Sequence, residues 1–210
     1  MGRSRTNGLL TALVGAGVVT ALMRFNLVHG YGDRYFLTNM IGLLFVPMMY
    51  IFLVAREEPA HYGFAFGDTG RVWLFVVILF AGAIAVFLPA SRLHGFQSFY
   101  PIVPATRQSL SGFVLFEVTF GLYLFCGEFF FRGFLLFGLQ RAIGWPAVIV
   151  QAIAFGMMHY GNPMPELIVS FPTGIILGML ALRARSFFPC FVLHWASAVS
   201  FDLLVMSATH

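Results

Sequence analysis

Cys126-Gly-Glu-Phe-Phe-Phe-Arg-Gly133 sets a glutamate and an arginine inside an apolar run from about Gly112 to Leu139. Such a run is long enough to cross a bilayer, which takes about 20 residues. Glu128 and Arg132 stand four residues apart with the acid first, the better order for a helical ion pair, so they share one face and can neutralise each other. A lone charge at the centre of a membrane helix costs about 2.5–3.5 kcal/mol or more, and an intramembrane ionisable residue is therefore a functional-site hypothesis by default. The competing reading is an ion pair that fixes helix packing and does nothing else. This segment alone does not choose between them.

The rest of the chain has the same character. Its 210 residues are 60% hydrophobic and 10% charged, with a mean hydropathy of +0.88, well outside the make-up of soluble domains. Apolar runs at about 9–23, 35–55, 72–90, 112–139, 145–160, 165–182 and 186–206 read as spans, the fourth long enough to hide a break. The fold class this predicts is all-α, a polytopic transmembrane bundle of roughly seven helices forming one integral membrane domain over residues 1–210. So little sequence lies between spans that any chemistry must sit within the bundle or at its mouth.

All twelve basic residues are arginines, scattered singly or in pairs, and the net charge of +4 builds no dense basic stripe; a nucleic-acid partner is not expected. With the amino terminus inside, Arg3, Arg5, Arg56, Arg71, Arg141, Arg183 and Arg185 fall on that side, against Arg24, Arg34, Arg92 and Arg107 outside. The positive-inside rule then puts the amino terminus in the cytoplasm. The first span lacks a small-residue cleavage site and reads as a retained helix, not a signal peptide. Cys126 and Cys190 lie in or beside apolar runs, where cysteine behaves as a small buried hydrophobe, and neither a disulfide framework nor a cysteine zinc spacing is present. The absence of an internal repeat argues against the duplicated architecture common in secondary transporters.

Polar residues gather after position 110. The first three spans carry no acid and, apart from Arg24, no charge within their apolar runs, whereas Glu117, Glu128, Arg132, His159, His194 and Asp202 lie in or near the later ones. Residues 56–71, with Gly63, Gly67 and Gly70, read as a loop with a short interfacial turn. Ser91 to Ser111, with Pro101 and Pro104 among aromatics, is the longest connection and reads as a gate or cover over a site.

Phe155-Gly-Met-Met-His159 ends the fifth span ahead of the breakers Gly161 and Pro163, which places His159 at a helix end, facing a vestibule or the headgroup level. His194 shares a helix face with Ala198 and Asp202, and Asp202 lies about 12 Å further along the axis. Glu117 stands about 16 Å from Glu128 on one helix, too far for a carboxylate dyad, and reads as a second polar anchor. Glu166, after Pro163-Met-Pro165, occupies the first turn of the sixth span, where a carboxylate suits the helix dipole. Together, a carboxylate, a guanidinium and two histidines from three helices make an acid/base set in a low-dielectric site. Two histidines and a carboxylate could also form a three-ligand zinc site, but no His-Glu-x-x-His helix anchors one and Arg132 would compete with the cation.

These residues, in this order, resemble the CAAX protease and bacteriocin-processing (CPBP) family of intramembrane endopeptidases, whose usual pattern is Glu-Glu-x-x-x-Arg, then Phe-x-x-x-His, then His-x-x-x-Asn on successive spans. Gly127-Glu128-Phe-Phe-Phe-Arg132 matches the second Glu and the Arg, Phe155-Gly-Met-Met-His159 matches fully, and His194-Trp-Ala-Ser-Ala198 matches its histidine. The likeness covers about residues 112–206, the implied catalytic core. In the family the first Glu, with the histidine of the second motif, is thought to activate water; the second Glu pairs with the Arg; the late Asn helps its neighbouring His hold the oxyanion. Gly127 and Ala198 depart from that pattern.

The resemblance implies a glutamic-type endopeptidase without a cofactor, in which Glu128 and His159 activate water, His194 stabilises the oxyanion and Arg132 orients Glu128. Its partners would be the lipid bilayer and a membrane-embedded or lipid-anchored peptide or protein substrate, and its place the bacterial plasma (inner) membrane. Asp202, not Glu117, is expected within reach of the histidine pair, directly or through one water, as an orienting acceptor. A non-catalytic relative of the same fold, such as an immunity or chaperone-like factor, and a proton-coupled transporter are the alternatives.

Overall fold

The structure is a computed structural model that describes residues 2–25, 33–67, 70–103, 106 and 109–209. Seven helices carry the architecture: α1 Gly2–Phe25, α2 Arg34–Ala55, α3 Gly70–Ala90, α4 Leu110–Ile143, α5 Pro146–Met157, α6 Met164–Ala184 and α7 Phe188–Ala208. Six of them are long and apolar enough to cross a membrane, and α5 is a shorter apolar helix. No strand occurs among the described residues. The protein is an all-α membrane bundle, and each of the seven apolar runs corresponds to a helix.

α5 is the exception in length, and its ends explain it. Proline at its start suits the first helical turn, where no N–H is needed. Beyond Met157 the chain loosens into turns, and Gly161 takes φ +101°, a conformation that side chains with a Cβ rarely adopt. Twelve residues make about 18 Å of helix, short of the ~30 Å hydrocarbon core. The turn 158–163, with His159 in it, therefore carries the chain on to α6. Irregular backbone at membrane depth persists only where protein buries it or a cavity wets it.

α5 and α6 pack as a close antiparallel pair, and Gln151 on α5 donates to the carbonyl of Gly174 on α6 at 2.7 Å. α1 lies against the last turns of α4, and α7 lies between α3 and α4. The long fourth run holds one continuous helix, which passes through a π-helical stretch, Phe129–Leu135, whose seven residues are all buried. Single-turn π segments widen a helix locally and recur at functional sites. Two further π stretches, Ile41–Phe45 and Tyr50–Ala55, lie in α2.

Both longer connections contain a short helical turn. Arg56 closes α2 in the left-handed region, and Pro59–Tyr62 forms a short 3-10 turn. Glu57 then accepts from Asn7 of α1 at 2.9 Å and from Arg141 of α4 at 2.6 Å. In the long connection, a helical turn at His94–Gln97 lays Phe96 against Phe201 of α7. Pro104 and Arg107 lie outside the described residues, as do the side chains of Arg3 and Arg5. Cys126 and Cys190 are free and buried, and the Cys190 thiol donates to the Leu177 carbonyl at 3.2 Å.

Candidate active site

Glu128 closes the regular part of α4, and Arg132 follows within the π stretch. Both are fully buried, and Arg132 Nη1 donates to Glu128 Oε1 at 3.0 Å. His194 of α7 reaches the same oxygen, its Nδ1 lying 2.7 Å away. A carboxylate oxygen can only accept there, so Nδ1 carries the proton and Nε2 faces away. What aligns α7 with α4 is Trp195: its indole N–H donates to the Glu117 carbonyl at 3.0 Å, and its ring lies so close to Gly121 that a Cβ there would meet it at 2.6 Å. A bulkier residue at 121 would push α7 away and pull His194 off Glu128.

His159 arrives from the turn after α5. Its Nδ1 lies 2.9 Å from the Phe155 carbonyl, one helical turn back. Because a carbonyl accepts, this nitrogen too bears the proton, which leaves Nε2 as the basic, unshared position of the neutral ring. Phe155 connects the group. Its ring lies under the Arg132 guanidinium, with Cζ 3.8 Å from the centroid, and meets the His159 ring at 4.5 Å and the His194 ring at 5.9 Å. Four polar side chains from α4, the turn after α5 and α7 thus converge around one phenylalanine.

The valences of this group are only partly used. Glu128 Oε1 receives both Arg132 and His194, while among the described residues Oε2 has no hydrogen-bond partner, and neither do Nε and Nη2 of Arg132. Buried polar groups are satisfied in the great majority of proteins, and each exception has a reason, such as strain, a catalytic role or a bound water or ion. Among the described residues no three His, Cys, Asp or Glu side chains are grouped to hold a metal ion, and the cation at Glu128 Oε1 is Arg132.

Asp202 is buried two turns beyond His194 on α7, about 12 Å along the axis. The group it faces is Glu117 of α4, also buried, whose own oxygens form no well-shaped hydrogen bond. Gly127, where the family pattern has its first Glu, opens on space: a Cβ added there would meet no atom within 4 Å. Sequence reasoning missed the part played by Phe155, although its i,i+4 spacing to His159 was the available signal. It also passed over the tie between Glu166 and the long connection, for which the sequence carries no pattern.

No curated protein and no solved structure matches the chain. Residues 107–200 match a family described as type II CAAX prenyl endopeptidase, Rce1-like. That stretch contains Glu128, Arg132, Phe155, His159 and His194, the residues that the structure brings together. Over those residues the chain is similar to the CAAX-type membrane endopeptidases, in agreement with the resemblance carried by the motifs.

Proposed function

We propose that the chain is an intramembrane endopeptidase that hydrolyses a peptide bond in a membrane-embedded or lipid-anchored segment, using water activated by Glu128 and His159. The observation that carries this reading is the division of Glu128 into a committed oxygen and a free one. Arg132 and His194 hold Oε1 and so fix the carboxylate, leaving Oε2 to accept a hydrogen bond from water. His159 Nε2, unprotonated in the neutral ring, takes the water proton as its oxygen adds to the scissile carbonyl carbon. In its imidazolium form, anchored on Glu128, His194 offers Nε2–H to the oxyanion. Collapse of the tetrahedral adduct breaks the C–N bond, and the proton held by His159 passes to the departing amine. Asp202, which faces Glu117, is given no step.

With the site inside the bundle, a substrate chain reaches it from the bilayer or its interface. The host membrane in this reading is a bacterial plasma membrane, with the amino terminus cytoplasmic. The test is cleavage of a lipid-anchored or transmembrane peptide by the purified chain in proteoliposomes, carried out in ¹⁸O-labelled water. One labelled oxygen in the new carboxyl terminus is expected, and its absence from a cleaved product would reject water as the nucleophile.

One observation favours a second reading, a non-catalytic relative: positions 127 and 198 carry no polar side chain. The open position at Gly127 makes that reading testable by Gly127→Glu, since a Cβ there meets no atom within 4 Å. Absence of cleavage by the unaltered chain together with cleavage by Gly127→Glu would support the non-catalytic form; cleavage by the unaltered chain would end it.

A further inference from the structure

The turn that presents His159 is held from outside the acid/base group. Its backbone closes through Asn162 N–H, which donates to the His159 carbonyl at 3.1 Å, after Gly161 has reversed the chain at φ +101°. The Asn162 side chain then donates to Glu166 Oε1 at 2.7 Å. Glu166 sits in the first turn of α6, yet its oxygens serve other segments: the Tyr100 hydroxyl lies 2.9 and 2.8 Å from the two of them. Tyr100 belongs to the long connection between α3 and α4. Its ring packs on Phe201 of α7 at 5.4 Å, and Phe96 of the same connection packs on Phe201 at 5.1 Å. One half-buried carboxylate thus joins the histidine-bearing turn to the segment lying across the end of α7.

We infer that Glu166 is a positioning residue, which fixes the His159 turn through Asn162 and fastens residues 91–103 to the same turn through Tyr100. The inference rests on the hydrolytic reading above for its kinetic consequence, but its structural content stands apart from it. Hydrogen bonds to an ionised carboxylate are roughly twice as strong as neutral ones, and here they all converge on a single side chain. Helix-dipole compensation alone would not require them: a first-turn carboxylate serves the dipole from solvent without bonding Tyr100 or Asn162. His194 also lies within electrostatic range of Glu166, so the fastening borders the acid/base group instead of being remote from it.

Hydrogen–deuterium exchange on the full chain in lipid nanodiscs tests the inference without reference to activity. In Glu166→Ala, amide exchange should rise about tenfold or more both in residues 91–103 and in residues 158–163, because strong charge-assisted bonds are lost from two segments at once. Tyr100→Phe keeps the ring and removes the hydroxyl, so it should loosen 91–103 and leave 158–163 protected. Glu166→Gln, which keeps the shape, should fall between the unaltered chain and Glu166→Ala. If Glu166→Ala does not fold, Glu166→Gln and Tyr100→Phe decide the matter on the same readout. Acceleration confined to residues 163–168, or none in any variant, overturns the inference. In the cleavage assay Glu166→Ala should lower kcat about tenfold, with KM for a short peptide within about twofold and Glu166→Gln recovering most of the loss. If the unaltered chain does not cleave, the hydrolytic reading fails and the exchange result still judges the positioning role.

Discussion

Glu57 and Arg141 meet at 2.6 Å at one end of the bundle, partly exposed, whereas Glu128 and Arg132 meet at 3.0 Å in its interior, fully buried. The outer pair uses its valences. One Glu57 oxygen takes Asn7 and the other Arg141, while Arg141 also donates to the Phe137 carbonyl and covers the Tyr62 ring. Among the described residues, the inner pair leaves a carboxylate oxygen and two guanidinium nitrogens without partners. Desolvation makes that choice expensive, since unsatisfied polar groups cost most where no water reaches them. A pair meant only to join helices would be built like the outer one, which ties α1 and α4 to the turn after α2. In the proposed hydrolysis, the inner pair's unused atoms are where water and substrate complete the arrangement.

Breaking each pair should therefore have different consequences. The largest expected effect falls on the histidines that border the inner pair. His159→Ala should lower cleavage of a membrane peptide by about 10²–10⁴-fold, the usual worth of a general base, and His194→Ala by about 10²–10³-fold, as for a lost oxyanion donor. His159→Ala should leave the melting temperature in detergent unchanged or raised, as removing a catalytic group often does, while His194→Ala should lower it only modestly, since Glu128 Oε1 keeps Arg132. A large drop in melting temperature for both would return the inner group to a purely structural role.

Arg132→Met comes next. It leaves Glu128 buried without its cation, and breaking a buried pair from one side typically costs about 3–5 kcal/mol. Thermal or denaturant unfolding in detergent should show that loss, and a variant as stable as the unaltered chain would mean that the pair is not coupled as its geometry indicates.

Glu57→Gln should be the mildest, below about 1 kcal/mol as for exposed pairs, with cleavage unchanged. Its pH dependence sharpens the contrast. Partial burial pushes the Glu57 carboxyl upward, but the hydrogen bonds from Arg141 and Asn7 and the Arg141 charge outweigh it and hold the group below its ordinary value of 4.5. A carboxyl lowered on folding adds stability above its unfolded pKa and loses it as pH falls through the folded one. The stability difference between the unaltered chain and Glu57→Gln should thus be present at neutral pH and fade below pH 4.5. A difference that grows on acidification would contradict this sign.

Much of this was legible in the chain. Hydropathy located the seven helices that carry the architecture among the described residues, because burying backbone in lipid leaves little choice but helix, and the short fifth run ending before Gly161 gave the turn that holds His159. The pairing of Glu128 with Arg132 follows from i,i+4 spacing alone. The rest depends on how helices rotate and cross, which an apolar-all-round helix does not encode in its periodicity. Nothing in the sequence placed His194 on the oxygen that already binds Arg132, the Phe155 ring beneath the guanidinium, or the π-helical stretch at Phe129–Leu135. Asp202 shows the limit most clearly: its helix face was readable, but the Glu117 it faces belongs to a neighbouring helix whose register is set by Trp195 lying on Gly121.

The most direct test is Glu128→Gln measured beside Glu57→Gln, with peptide cleavage and thermal unfolding followed on the same proteoliposome and detergent preparations. Glutamine keeps the shape of each side chain and removes its charge. The expected result is that Glu128→Gln loses cleavage by about 10²-fold or more while remaining folded, and Glu57→Gln cleaves as the unaltered chain does. Cleavage by Glu128→Gln at the unaltered rate would contradict the claim that Glu128 activates the water.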